Sequence, residues 1–137
     1  MLTRRTFALT LGALPAALSA APSDKQQAQK AAEAWLALVD AEDYDQSWET
    51  AAAFFKQNVS KQQWARMAAK ARKPFGALKS RELAGSRVET SLPGAPDGEY
   101  VVMQYKAVYA NKAKAVETIT PMKDPDGVWR VSGYFIR

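Results

Sequence analysis

The sequence contains neither cysteine nor histidine. Without cysteine the chain can form no disulfide, no thiolate metal site and no cysteine nucleophile. Without histidine it lacks the side chain that most often serves as a general acid or base near neutral pH. These two absences exclude most common catalytic centres, and we expect neither a cofactor nor a metal ion.

Long apolar runs are also missing, apart from residues 7–20 near the N-terminus. This stretch is shorter than the roughly 20 residues that a membrane span needs, and small or polar residues interrupt it. Because Arg4 and Arg5 precede it, residues 1–20 are predicted to be a cleavable signal peptide rather than a stable membrane anchor. Cleavage is expected between Ala20 and Ala21, since Pro22 disfavours cleavage after Ala21.

The export route stays open between two alternatives. The run Arg4-Arg5-Thr6-Phe7 resembles a twin-arginine signal, whereas an ordinary secretory signal can also carry two arginines. Either route predicts a periplasmic or secreted protein. The mature chain, residues 21–137, has the length of one domain.

The positive charge is modest and scattered. The net charge is +5, and the basic residues gather only at Lys70, Arg72 and Lys73, near a predicted helix end. Cations at a helix C-terminus interact favourably with its dipole, so this cluster is interpreted as a solvated helix end. We therefore expect no nucleic-acid partner.

Three helix starts of one kind occur in the first half of the mature chain. Each has a short polar residue followed three positions later by glutamine, as in a capping box: Ser23 with Gln26, Asp43 with Gln46, and Ser60 with Gln63. Apolar residues then recur at helical spacing, and Pro74 with Gly76 ends the third segment. The pattern predicts three helices.

The second half changes to strand composition. Extended segments are predicted over residues 78–92, 99–110, 115–122 and 128–137, separated by short turns rich in Gly, Pro, Asn and Asp. Consecutive strands joined by short turns pair antiparallel. The predicted fold is therefore α+β, with three N-terminal helices packed on a four-stranded antiparallel meander.

Polar and aromatic residues that can point into a pocket between helices and sheet are the candidate ligand-binding residues. They are Asp40, Trp48, Tyr105, Glu117, Arg130 and Tyr134. Two alternatives stay open: Glu117 and Arg130 can form an ordinary cross-strand ion pair, and aromatics at helical spacing can simply pack in the core.

Strict alternation along the last strand gives a further expectation. It places Trp129, Val131, Gly133 and Phe135 on one face and Arg130, Ser132, Tyr134 and Ile136 on the other.

Five segments carry a resemblance to a bacterial family, the domain-of-unknown-function family numbered 4019. They are 34–40 (AWLALVD) continuing through Tyr44 to Trp48, 74–81 (PFGALKSR), 91–102 (SLPGAPDGEYVV), 117–122 (ETITPM) and 129–137 (WRVSGYFIR). The resemblance implies a short exported protein. The chain also resembles the cystatin-like or nuclear-transport-factor-2-like α+β cone, a fold that includes isomerases and dehydratases as well as binding modules.

Enzymes of that cone often use an aspartate–histidine pair, which a chain without histidine cannot supply. We therefore expect a non-catalytic module that binds a small ligand or an envelope protein. One alternative is a histidine-free pocket enzyme that uses a carboxylate with Tyr134 or Tyr105. Another is a structural envelope protein that works as a homodimer through its sheet face.

Overall fold

Helices occupy the first half of the molecule and strands the second half. The computed structural model describes residues 23–137. The helices are α1 (Asp24–Asp40), α2 (Tyr44–Glu49), α3 (Ala53–Asn58) and α4 (Lys61–Arg72), followed by a 3-10 helix over Lys73–Phe75. The strands are β1 (Leu78–Glu89), β2 (Tyr100–Tyr109), β3 (Lys112–Lys123) and β4 (Trp129–Ile136). The predicted signal peptide and its cleavage point lie outside the described residues.

Side-chain caps begin three of the helices where the sequence predicted them. Ser23 forms a complete capping box with Gln26 at the start of α1, and Ser60 forms one with Gln63 at the start of α4. At the start of α2 the Asp43 carboxylate accepts a hydrogen bond from the backbone N–H of Gln46. Each cap satisfies a backbone donor that the helix itself leaves unpaired.

The predicted number of helices was too low by one, because the second predicted helix is divided into α2 and α3. The backbone N–H of Ala52 donates to the carbonyl of Val131 in β4, at 2.8 Å, instead of continuing the helical ladder. The Thr50 hydroxyl donates to the carbonyl of Gln46 at the end of α2. A contact with the sheet therefore breaks a segment whose apolar spacing looks continuous.

The sheet is the predicted antiparallel meander, with strand order β1-β2-β3-β4. We call the face that packs against the helices the inner face, and the opposite face the outer face. Tyr105 lies opposite Glu117 and Met103 lies opposite Ile119 on the inner face, and all four side chains are buried. Glu117 is thus a carboxylate within an otherwise largely apolar layer.

A β-bulge in β4 overturns the predicted alternation of that strand. Thr120 pairs with Gly133 and Pro121 pairs with Val131, so Ser132 is an extra residue with no partner. A bulge shifts the side-chain alternation by one position. Trp129 and Val131 consequently share the inner face with Tyr134, whereas Phe135 is 62% exposed on the outer face.

Aromatic side chains from three helices and β4 form the centre of the main core. The ring centre of Trp35 lies 5.5 Å from that of Trp64 and 5.3 Å from that of Tyr134. Buried Ser47 in α2 connects them, because its carbonyl accepts from the Trp35 indole and its hydroxyl from the Trp64 indole, both at 2.8 Å. These bonds satisfy the only polar atoms of the two indoles.

Candidate functional site

Arg81 forms the centre of a group of charged residues between the helices and the sheet. Its Nε donates to Glu117 Oε1 and its Nη1 donates to Asp40 Oδ2, both at 2.7 Å. Its Nη2 lies 2.9 Å from Asp40 Oδ1 and 3.2 Å from Glu117 Oε2. One guanidinium thus makes a two-point contact with each of two carboxylates, which the planar fork of arginine permits and a lysine does not.

A second arginine, Arg72, reaches the same carboxylates from the end of α4. Its Nη2 donates to Asp40 Oδ1 at 2.8 Å, and its Nη1 lies 3.9 Å from Glu117 Oε2. Its guanidinium carbon lies 5.0 Å from the ring centre of Tyr109, a cation–π distance. The interpretation of Arg72 as part of a solvated helix end was therefore wrong, because Asp40 at the end of α1 pairs with it and its side chain is only 9% exposed.

Glu117 is the most buried member, with none of its side chain exposed. The Tyr134 hydroxyl donates a hydrogen bond to its Oε2, and the Arg81 guanidinium contacts both of its oxygens. We call Asp40, Arg72, Arg81 and Glu117 the buried ion cluster. Two arginines balance two carboxylates, so the cluster is neutral as a whole, and this makes its burial tolerable.

The surroundings of Asp40, Tyr109 and Tyr134 hold the pKa of each of these groups away from neutral pH. Burial raises the pKa of Asp40, but hydrogen bonds from Arg81 and Arg72 outweigh this and leave that pKa below its ordinary value. Burial and the charge of Glu117 raise the pKa of Tyr109 to about 12, and raise the pKa of Tyr134 further still. At neutral pH Asp40 is therefore ionised and both tyrosines are protonated.

A cavity of about 580 Å³ opens beside the buried ion cluster, between the ends of α1 and α4 and the chain that enters β1. Asp40 and Arg72 line the cavity and connect it to the cluster, and Tyr44 contributes an aromatic side chain. The Nε–H of Arg72 makes no hydrogen bond to any described residue, since the bonds of this side chain come from its two Nη atoms. Arg72 thus keeps one donor that none of residues 23–137 uses.

Two further lining residues, Glu42 and Lys73, carry opposite charges on exposed side chains. Neither forms an ion pair with another of residues 23–137. Glu42 follows α1 in a left-handed conformation, with φ of 60°. Its N–H donates to Val39 and the next N–H donates to Leu38, which is the Schellman ending that glycine usually provides.

The structure brings together three of the six predicted site residues, Asp40, Glu117 and Tyr134. Tyr105 lies beside them, directly opposite Glu117, and its hydroxyl is 3.4 Å from Glu33 Oε1. Burial and the charge of Glu33 raise the pKa of Tyr105 above its ordinary value.

Trp48 and Arg130 lie away from this group. The Trp48 indole donates to the carbonyl of Val59 at 2.8 Å and packs at the margin of the main core. Arg130 pairs with Asp124 and Asp126 in the turn between β3 and β4. The alternative of a cross-strand pair between Glu117 and Arg130 is wrong, because Glu117 pairs with Arg81 and Arg72 on the inner face.

The sequence analysis missed the two arginines of the cluster. Arg81 was passed over because it stands in a polar, exposed-looking strand, and Arg72 because cations are common at helix ends. In the structure Arg81 lies opposite small Ala107 of β2, on the inner face. That position depends on the register between the two strands, which the sequence alone does not supply.

Residues 23–137 lack two features, a cluster of metal-binding side chains and a membrane-spanning helix. No group of three acidic side chains comes together there in a way that would hold a metal ion. None of the helices in this part of the chain has the length and apolar character that crossing a bilayer requires.

The chain matches a protein-family model over most of its length. The family model described as a protein of unknown function, DUF4019, matches residues 31–134 and so includes all members of the buried ion cluster. A search of curated proteins found no match.

Proposed function

The chain belongs to the DUF4019 family, and from that premise we propose that it is a non-catalytic module that binds a small molecule in the cavity beside the buried ion cluster. The observation that carries the proposal is the pair of unpartnered, opposite charges on Glu42 and Lys73 in the wall of one cavity. A ligand that matches this wall carries both a carboxylate and a protonated amine, as a free amino acid does.

The carboxylate of the ligand has two donors available. Arg72 presents the unused Nε–H of a guanidinium that is otherwise held in place by Asp40 and stacked on Tyr109. Lys73 follows it directly in the sequence, lines the same cavity and adds an exposed ammonium group. A fixed arginine costs less side-chain entropy on binding than a free one, because the buried ion cluster has already ordered it.

The amine of the ligand has Glu42 as its partner. The left-handed backbone at this position is unfavourable for a non-glycine residue by about 1 to 2 kcal/mol. A glutamate therefore occupies a backbone conformation that favours glycine. Unfavourable backbone conformations of this kind are often retained at functional sites. The neighbouring ring of Tyr44 offers an aromatic face to the same cation.

Binding without catalysis is supported by the pKa values of Asp40 in the buried ion cluster and of the adjacent Tyr109 and Tyr134. A general acid or base works best with a pKa near the working pH. The pKa of Asp40 lies below its ordinary value and those of Tyr109 and Tyr134 lie above theirs. None of these three groups is therefore poised to exchange a proton at neutral pH.

We also propose a fold family and a cellular location for the chain. A helical layer on an antiparallel meander, with a cavity beside the ends of α1 and α4, supports the cystatin-like or nuclear-transport-factor-2-like cone. The basic and apolar N-terminal pattern supports export to the periplasm or the medium. Mass spectrometry of the chain recovered from outside the cytoplasm tests the location, with a new N-terminus at Ala21 as the expected result.

Nuclear magnetic resonance titration of the purified chain tests the ligand chemistry. The probes are alanine, which carries both charges, acetate, which carries only the carboxylate, and ethylamine, which carries only the amine. We expect saturable amide shifts around residues 39–44 and 72–78, with alanine binding more tightly than either fragment. Equal affinity for alanine and acetate would show that Glu42 does not bind the amine of the ligand. The absence of saturable shifts with all three probes would refute the proposed ligand site.

Matched lysine variants separate a specific contact from general attraction. Lys73→Gln is expected to weaken alanine binding by about tenfold, equivalent to about 1.4 kcal/mol. Lys70→Gln removes the same charge from the same helix end but lies outside the cavity lining, and it should leave binding unchanged. An equal loss in both variants would mean that the cavity provides no specific carboxylate site.

A further inference from the structure

The strand β1 forms an unusually open edge of the sheet. It is 12 residues long, and every residue from Glu82 to Val88 is exposed. Among the described elements it packs extensively only against β2. No backbone group of residues 79–89 bonds to a described residue outside that pairing. One row of backbone donors and acceptors therefore faces outward along the strand.

The opposite edge strand of the sheet, β4, is shorter than β1 and is covered by helices. The strand β4 is eight residues long, α1 and α3 both pack against it, and the Ala52 N–H donates to Val131. That contact occupies a backbone acceptor at the β4 edge. The two edges thus differ in length and in cover, and β1 is the one available for pairing.

A bulge in β1 sets which of its side chains share a face. Leu83 pairs with Tyr105 and Gly85 pairs with Gln104, so Ala84 is the extra residue. Glu82 lies opposite Lys106 and Arg87 lies opposite Val102. Lys106 and Val102 are four residues apart in β2, so their side chains lie on the same face of the sheet. Glu82 and Arg87 therefore both project from the outer face, one on each side of the bulge.

We infer that a second copy of this chain pairs antiparallel with β1, about a two-fold axis that passes between Ala84 and Gly85. Each Glu82 then lies opposite the Arg87 of the other copy. Within its own chain the Nε of Arg87 lies 3.0 Å from Glu89 Oε1, so the two remaining nitrogens of this guanidinium are the donors for Glu82 of the other copy. The pairing gives two equivalent intermolecular ion pairs on the outer face. On the inner face each Leu83 lies opposite Ser86 of the other copy. The result is one continuous eight-stranded sheet with both helical layers on the same side.

Other registers lack this complementarity. A shift of two residues one way places Glu82 opposite Glu89, and like charges in that position repel. The same shift the other way places Glu82 opposite Gly85 and Arg87 opposite Ser80. Charged residues and bulges protect an exposed edge from indiscriminate strand addition, and here they leave one register that this sequence itself can satisfy.

The helical layer leaves room for this pairing. Leu83 and Val88 project from the inner face and are 36% and 56% exposed. Because no helix packs extensively on β1, a neighbouring strand can approach its edge without meeting one. The two apolar side chains of each copy would then lose part of their exposure on association.

Charge reversal followed by sedimentation equilibrium of the full chain tests the inference. Wild-type chain is expected to show a concentration-dependent monomer–dimer equilibrium. Glu82→Lys and Arg87→Glu each place like charges opposite one another twice, and each should weaken the dimer by about tenfold or more. The double variant restores both ion pairs with reversed sign and should regain the wild-type dissociation constant.

Two controls keep the result specific. Lys79→Glu makes the same charge change as Arg87→Glu on the same strand, but Lys79 is exposed and lies opposite Thr90 in this register, beyond the end of the partner β1, so its dimer should persist. Ala84→Cys lies next to the axis and should form an intermolecular disulfide on oxidation, whereas Val88→Cys should not. Circular dichroism verifies that each variant is folded. A monomeric wild-type chain, or a double variant that stays monomeric, would overturn the inference.

Discussion

Two arginine–carboxylate groups in this molecule have almost the same geometry and very different surroundings. In the buried ion cluster, Arg81 lies 2.7 Å from both Asp40 and Glu117. In the turn between β3 and β4, Arg130 lies 2.8 Å from Asp126, and we call this pair the exposed ion cluster. Arg130 also lies 2.9 Å from Asp124, whose side chain is only 8% exposed and which is therefore not counted in that cluster. The Arg81 and Glu117 side chains are 12% and 0% exposed, whereas those of Arg130 and Asp126 are 30% and 54% exposed.

The difference teaches that distance alone does not give the strength of an ion pair. In the exposed ion cluster water already solvates each charge, so pairing gains little. In the buried ion cluster Glu117 has no exposed surface and Arg81 has little, so removing the charge of Glu117 leaves Arg81 without a partner that water can fully replace. The buried contacts also join α1, α4, β1 and β3, whereas the exposed contacts only tighten one turn.

The largest expected effect is that of Glu117→Gln. The amide keeps the size of the side chain but removes the charge that faces Arg81, and breaking a buried ion pair from one side costs about 3 to 5 kcal/mol. Urea denaturation at neutral pH measures the change in the free energy of unfolding. A loss as small as that of an exposed pair would contradict the distinction between the two clusters.

The helices and the meander could be predicted from sequence because their signals are local. The boxes at Ser23 and Ser60 lie within a few residues of the helices they begin, and the turns of the meander contain their own Gly, Pro, Asn and Asp. The division between α2 and α3 could not be predicted in this way. It depends on a bond from Ala52 to Val131, which is distant in sequence.

The candidate site could be predicted only in part, for the same reason. Glu117 stood out as a carboxylate among apolar strand residues, and Asp40 as an acid at the end of an apolar helix. Their partners come from other elements, since Arg72 and Arg81 follow Asp40 by 32 and 41 positions. The bulge at Ser132 then turns Tyr134 toward Glu117, and no local pattern in β4 indicates it.

The next largest effect is expected from Asp40→Asn, which removes a carboxylate of the buried ion cluster. The hydrogen bonds from Arg81 and Arg72 hold the pKa of Asp40 below its ordinary value of 3.8. A group whose pKa is lower in the folded state stabilises the fold above its unfolded pKa, and that contribution is lost as the pH falls through the folded pKa. Asp40→Asn should therefore cost about 1.5 to 3 kcal/mol at pH 7, the strength of hydrogen bonds to charged groups.

Unfolding measured as a function of pH checks this sign. The difference in stability between wild type and Asp40→Asn should be constant at neutral pH. It should begin to shrink below about pH 4, where the carboxylate of the unfolded chain becomes protonated, and should be lost as the pH falls through the lower pKa of the folded state. Asp97→Asn is the matched control, because Asp97 is exposed and has no ion-pair partner among the described residues. A difference that grows on acidification would show that Asp40 is not stabilised by its arginines.

The smallest effect is expected in the exposed ion cluster, from Asp126→Asn. Hydrogen bonds from Arg130 and from the backbone N–H of Val128 lower the pKa of Asp126 to about 2. Its contribution to stability is therefore present above about pH 4 and is lost as the pH falls toward 2. Because water and salt screen this carboxylate, the variant should differ measurably from wild type only at low ionic strength.

Measuring Glu117→Gln at low and at high salt concentration sharpens the contrast, since the loss of stability in the buried ion cluster should persist at high salt. If salt instead removes both losses equally, burial does not distinguish the two clusters, and the ordering of Arg72 for the proposed ligand loses its physical basis.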